Sequence, residues 1–238
     1  MGNDRPKLGI LGGMGPQAAL ELCQRIVDHT AAGRDQEHIP TLVYNDTGIP
    51  DRTAAILGGG EEACYQALLA GARLLEGAGC RYLAMACNTA HYFADRLQAD
   101  LEGMTLLHMV RDTAAAMAER GCRRAAILAT DGTVRTGVYQ RECEKLGIAC
   151  VTLPEPLQCR IMSLIYGEIK TGGRGSMETF APVDRAVREE LGCDGAILGC
   201  TELSVFRTAH GLPDFYLDAM DVLARRCVTA CGYPLREH

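Results

Sequence analysis

Two short stretches carry residue types suited to proton chemistry: YLAMACNTAHYF from Tyr82 and DGAILGCTELS from Asp194. Each is an apolar, strand-like run that stops on a cysteine, Cys87 in the first and Cys200 in the second. Hydroxyl, amide or carboxylate side chains follow. Taken singly, either cysteine reads as a small buried hydrophobe, the common fate of a free thiol. The two stretches match, however. Gly79 and Cys80 open the first, Gly192 and Cys193 open the second, and KLGILGG and RRAAILAT precede them at corresponding distances. In a chain rich in Gly, Ala and Cys the match could be coincidence; read as a duplication, it puts both thiols at the carboxyl ends of strands, where open α/β sheets bind ligands.

Paired thiols suit one reaction in particular, removal of a proton from one face of a carbon and its return to the other. One sulfur must then be thiolate while its counterpart is thiol. Lowering a thiol pKa from about 8.5 to about 7 takes roughly 2 kcal/mol. A helix N-terminus supplies about 0.3–1 kcal/mol, so further cationic or hydrogen-bonding help is needed.

Three more candidates lie elsewhere. In GIPDRTAAILGGGE, Asp51 and Arg52 follow the strand TLVYND; Arg52 could fork onto a carboxylate, and Asp51 could equally be the N-cap of a helix with Arg52 solvated on its first turn. Lys170, ending IMSLIYGEIK, reads alone as a complement to a helix dipole. GGMGPQAA contains Gly13, Gly15 and Ala18 in a GxGxxA spacing, but Asp46, at the end of the next strand, lies well beyond the ~20 residues at which a dinucleotide fold places its acidic partner. A glycine-rich turn presenting backbone N–H groups to a carboxylate fits better than a nicotinamide site.

The elements that must position these residues alternate. Apolar runs (KLGILGG, IPTLVYND, CRYLAMAC) are separated by amphipathic segments (QAALELCQRIVDHTAA, GEEACYQALLAGARLLEGAG). The pattern restarts with VRDTAAAMAERG, RRAAILAT, GVYQRECEKLG and GIACVTL. Two helical segments, LQCRIMSLIYGEIKTG and TFAPVDRAVREELG, precede the strand DGAILGC, the short strand FYLD and the closing helix AMDVLARRCVTACG. This is an α/β chain with mainly parallel sheets.

Length and composition set the bounds. At 238 residues with 47% hydrophobic content and a net charge of -6, the chain can bury a substantial core and has no basic stripe for nucleic acid. No run is long and apolar enough to span a bilayer, and the N-terminus lacks signal-peptide architecture, so a cytoplasmic location is expected. The 12 cysteines are dispersed without CxxC pairs, and no HExxH spacing occurs, so neither a disulfide framework nor a metal site is expected.

With GILGGMGP, PDR, ACNTAH, EIKTG and LGCTEL in this order, nearly the whole chain resembles the aspartate/glutamate racemase family of cofactor-independent amino-acid racemases. The resemblance implies two pseudo-symmetric α/β lobes, each with a central mainly parallel sheet flanked by helices, with the active site in the cleft between them. Lobe 1 would span 1–110, with the C-terminal helix 218–238 packing back on it, and lobe 2 would span 111–217. It implies acid/base roles for Cys87 and Cys200, and substrate contacts from Met14 with its turn, Asn88, Thr89 and Thr201. Arg52 and Lys170 become carboxylate partners for an acidic amino acid. A homodimer using neither cofactor nor metal is implied. The glutamate racemases of cell-wall synthesis look less similar, with DSGxGG in place of GGMGP and His where this chain has Glu202. Alternatives are a maleate isomerase-like or decarboxylase-like member of the superfamily, an NAD-dependent oxidoreductase, and a catalytically silent amino-acid sensor.

Overall fold

The computed structural model describes residues 7–237, and the chain divides into two compact units, Met1–Met109 with Met220–His238, and Val110–Ala219. Residues 1–6, on which the expectation of no signal peptide bears, lie outside the described residues. The first unit is built on β1 (Lys7–Gly12), β2 (Thr41–Asn45), β3 (Cys80–Met85) and β4 (Thr105–Leu106). The second is built on β5 (Arg124–Ala129), β6 (Ala149–Val151), β7 (Gly195–Gly199) and β8 (Tyr216–Asp218). Every pairing is parallel, and the orders are β2-β1-β3-β4 and β6-β5-β7-β8. The second sheet therefore repeats the first, strand for strand.

The central strands read as unbroken apolar runs because helices cover both their faces. KLGILG and RAAILA are buried from their second residue onward, and GAILG throughout. By contrast, β2 is an edge strand, and its Leu42 and Val43 are exposed. The helix Glu61–Gly77 turns Cys64, Tyr65, Leu68, Leu69, Ala72 and Leu75 inward, a stripe at helical period. The helix Pro16–His29 starts on a proline whose missing N–H costs nothing at a first helical position.

Local departures from the expected elements have physical reasons. β4 is a two-residue strand, too short for any alternation to register. The expected helix LQCRIMSLIYGEIKTG is α-helical only over Glu155–Met162 and widens to a π-helical turn over Ser163–Ile169, where Lys170 N–H donates to Ile165 O, five residues back, at 2.9 Å. The segment TFAPVDRAVREELG does the same, passing from Met177–Arg185 into a wide turn at Ala186–Glu190. The closing helix Ala219–Ala230 is tied to the first unit through Asp221, whose Oδ1 lies 2.7 Å from His29 Nε2. Beyond that helix, Leu235 bridges to Thr30.

The GGMGP turn after β1 is tight for a steric reason. A Cβ on Gly12 would lie 2.4 Å from Ala19 Cβ, and one on Gly13, where φ is +91°, would lie 1.9 Å from the Asp46 carbonyl oxygen. These glycines let the turn pass directly over the end of β2. Gly13→Ala is therefore expected to cost about 3 kcal/mol, combining positive-φ strain with a backbone collision. The check is a lowered urea midpoint at unchanged m. A loss below about 0.5 kcal/mol, the range of an ordinary surface substitution, would show that the turn does not need glycine.

Candidate active site

In both sheets the chain leaves the first strand toward one edge and returns to place the third strand on the other side. The carboxyl ends of β1 and β3, and of β5 and β7, are thus topological switch points, where the departing loops diverge and open a crevice. The loops there are Gly13-Met14-Gly15 and Cys87-Asn88 in the first unit. Thr130 and Cys200 follow β5 and β7 in the second. The fold delivers one predicted cysteine to the same topological point of each unit.

In the first unit Met14, Arg52, Cys87, Asn88 and Thr89 are all buried. Asp51 caps the helix Arg52–Gly58 by accepting from Ala54 N–H at 2.8 Å, as the capping reading expects. Arg52 does not follow the solvated alternative. Its side chain is 7% exposed, and it donates through Nη1 to Pro50 O at 2.8 Å and Ile49 O at 3.3 Å, and through Nη2 to Met14 O at 2.9 Å. Its Nε is buried without a partner. Burial works against the guanidinium charge, yet the charge and hydrogen bond of Cys87, followed by Asp51 and Cys64, outweigh it and raise the pKa above the usual arginine value. The cation therefore sits against the Cys87 sulfur.

Two further first-unit residues lie beside these: Cys64, which no sequence pattern marks, and His91, which closes the ACNTAH motif without an assigned role. Cys64 is fully buried, and its thiol is pushed up to about 11, first by burial; Arg52 pulls the other way, and Cys87 and Asp51 push up again. His91 is tied to the backbone: Met109 N–H donates to its Nε2 at 3.2 Å, and its Nδ1 lies 2.8 Å from Cys87 O. An amide can only donate and a carbonyl only accept, so the ring is the neutral tautomer with its proton on Nδ1. Its ring also lies 5.1 Å from that of His108. His91 pins the Cys87 peptide in place and has no ring nitrogen left for proton transfer.

In the second unit the electrostatics are reversed. Cys200 is buried at the N-terminus of the helix Thr201–His210, and its Sγ donates to Glu202 Oε2 at 2.8 Å. Thr201 Oγ1 donates to the same oxygen at 3.2 Å, while Lys170 Nζ stands 3.1 Å from Oε1. Burial first, and then the charge and hydrogen bond of Glu202, hold the Cys200 thiol well above the usual range; Lys170 only partly opposes them. Lys170 emerges at the end of the π-helical turn, 5.1 Å from the Tyr166 ring, and is engaged with a side chain rather than left as a dipole complement. The candidates thus gather as Met14, Arg52, Cys87, Asn88 and Thr89 in one unit and Lys170, Cys200 and Thr201 in the other. Glu202 enters from the sequence only as a difference from the glutamate racemases; the structure sets it against the Cys200 thiol, and an acid two positions after a cysteine in a first helical turn is a readable signal of that.

Comparison with known proteins bears on the family and the fold. Residues 11–227 match the model of the Asp/Glu/hydantoin racemase family. The aspartate racemase of Picrophilus torridus superposes with a TM-score of 0.83 at 30% identity, covering 97% of this chain and 96% of that one. A putative Asp/Glu racemase from Yersinia pestis superposes with a TM-score of 0.81 at 25% identity, covering 95% and 99%. Among curated sequences, the broad specificity amino-acid racemase RacX of Bacillus subtilis is 27% identical over 138 residues, 56% of this chain and 59% of that protein. The glutamate racemase of Francisella tularensis, at 14% identity and a TM-score of 0.69 over 95% of this chain and 81% of that one, shares the fold. With a family match across most of its length and a relative at 30% identity over nearly all of it, this chain belongs to the Asp/Glu/hydantoin racemase family.

Proposed function

We propose that the protein is an amino-acid racemase that interconverts the L and D forms of an acidic amino acid, aspartate or glutamate, by two-base proton transfer between thiols and without pyridoxal phosphate. The observation that carries this reading is the opposite charge environment of the two thiols. Cys87 lies against a buried guanidinium, and Cys200 donates its proton to a buried carboxylate. A two-base inversion needs such a pair, one sulfur ready to take a proton and one ready to give it.

Cys87 then removes the α-proton from one face, and Cys200 delivers its own to the other. The roles reverse for the opposite enantiomer. Arg52 Nε and Lys170 hold the substrate's carboxylates, and Met14, Asn88, Thr89 and Thr201 surround it. Negative charge develops beside the α-carboxylate as the α-proton leaves, and donors preorganised around that carboxylate lower the barrier. Lys170, already engaged with Glu202, serves as a point charge in this scheme and forms no Schiff base. Twelve free thiols support work in the reducing cytoplasm, and the protein acts there as a homodimer. Among the described residues no helix is long and apolar enough to cross a membrane.

Incubation of L-aspartate and L-glutamate with the protein in deuterated water should give α-deuterium incorporation together with loss of optical rotation. Absence of exchange with any acidic amino acid would sink the proposal. Cys87→Ser and Cys200→Ser should each lower kcat about 10²–10⁴-fold, the usual contribution of a general acid or base. If either variant kept a near-normal rate of racemisation by polarimetry, the two-thiol assignment would be wrong.

A further inference from the structure

Glu202 is a buried acid that the two-thiol scheme leaves unused. It is 8% exposed, yet all its visible partners converge on the second thiol: Cys200 Sγ and Thr201 Oγ1 on one carboxylate oxygen, Lys170 Nζ on the other. Such a chain of cation, carboxylate and thiol fixes where a proton rests. We propose that Glu202 is a positioning residue that returns Cys200 to the protonated state between turnovers, with Lys170 setting how strongly it does so. The inference rests on the racemase reading for the role of Cys200, while the geometry behind it is independent of substrate.

When Cys200 gives its proton to the substrate, its sulfur keeps the electron pair and becomes an anion beside a second anion. At the 2.8 Å separation seen between Sγ and Oε2, two like charges disfavour one another strongly. The thiolate then takes a proton from solvent while Cys87 releases to solvent the proton it removed; an S–H bond forms on Cys200 as the one on Cys87 breaks, and the Cys200 S–H donates to Oε2 again. Lys170 offsets part of the Glu202 charge and limits this pull. From other elements, the titratable groups facing Cys200 among the described residues are Lys170 and Tyr139, which comes from the helix Val138–Glu144 and is kept neutral by its burial. Neither supplies an anionic acceptor for the Cys200 proton; Glu202 does. Free enzyme is thereby biased toward the form with Cys200 protonated, the form that accepts the enantiomer whose α-proton faces Cys87.

The proton on Cys200 can be followed by its rate of alkylation with iodoacetamide as a function of pH, resolved from the other cysteines by peptide mass spectrometry. Glu202→Gln keeps the shape and an acceptor oxygen but removes the charge, so the Cys200 midpoint should fall by about 1–3 pH units. Lys170→Met leaves the carboxylate unopposed, and the midpoint should rise. Since racemisation has an equilibrium constant of one, kcat/KM stays equal for the two enantiomers in Glu202→Gln. The ratio of their KM values should shift as the free enzyme redistributes between its two proton forms. A Glu202→Gln midpoint within about 0.3 units of wild type, well inside the shift that a neighbouring charge causes, overturns the proposal. If that variant does not fold, a Lys170→Met midpoint that fails to rise overturns it instead. Deuterium exchange by the wild-type protein keeps the two readings apart: exchange with an unmoved midpoint rejects only the role of Glu202, and a moved midpoint without exchange rejects only the racemase.

Discussion

A guanidinium buried at 7% exposure is costly unless its hydrogens meet acceptors, and the first unit answers Arg52 on every side but its Nε. The carbonyls of Met14, Ile49 and Pro50 take its outer hydrogens, and the sulfur of Cys87 faces it. Met14 belongs to the turn after β1, Pro50 to the loop after β2, and Cys87 to the loop after β3. One cation therefore ties together the carboxyl ends of three strands. The tight glycine turn is a precondition, since a turn set further from β2 would carry the Met14 carbonyl away from it. The same network that stabilises the buried charge concentrates positive potential at a thiol.

The second unit repeats the strand order and inverts the sign. Its thiol follows the equivalent strand β7 and meets Glu202, with Lys170 behind the carboxylate rather than a cation at the sulfur. Duplicated architecture thus gives the same residue type two surroundings of opposite local charge. Neither cysteine differs in covalent chemistry. What distinguishes them is which charged side chain the neighbouring helix brings to the sulfur.

Much of this arrangement is legible in the amino-acid sequence. The doubled pattern of strands, the two cysteines at strand ends, the N-cap of Asp51 and the first-turn position of Pro16 all rest on local periodicity or local hydrogen bonding, which one sequence displays. Residues whose meaning depends on distant partners are harder to read. The motif around Arg52 puts it near the site, but its burial against Met14 and Cys87 depends on how three loops converge. His91 carries no legible role because its partner, Met109, lies beyond the next strand. Glu202 stands in view as a difference from the glutamate racemases, and its grip on Cys200 becomes clear only with Lys170 beside it. The short β4 and the two widened helical turns leave no pattern, since a two-residue strand has no alternation and a π turn keeps the composition of the helix it interrupts.

The wide turn at Ser163–Ile169 has a consequence for how this chain tolerates change. An α-helix advances about 100° and 1.5 Å per residue, so the extra residue held in a π turn sets the angle at which everything after it emerges. Lys170 is the first residue beyond it. Loss of a single residue from the segment would let α-helical pairing re-form and shift the position at which Lys170 meets Glu202. The segment thus acts as a measured spacer, its length under constraint together with the buried Leu164, Ile165 and Ile169 that anchor it in the core.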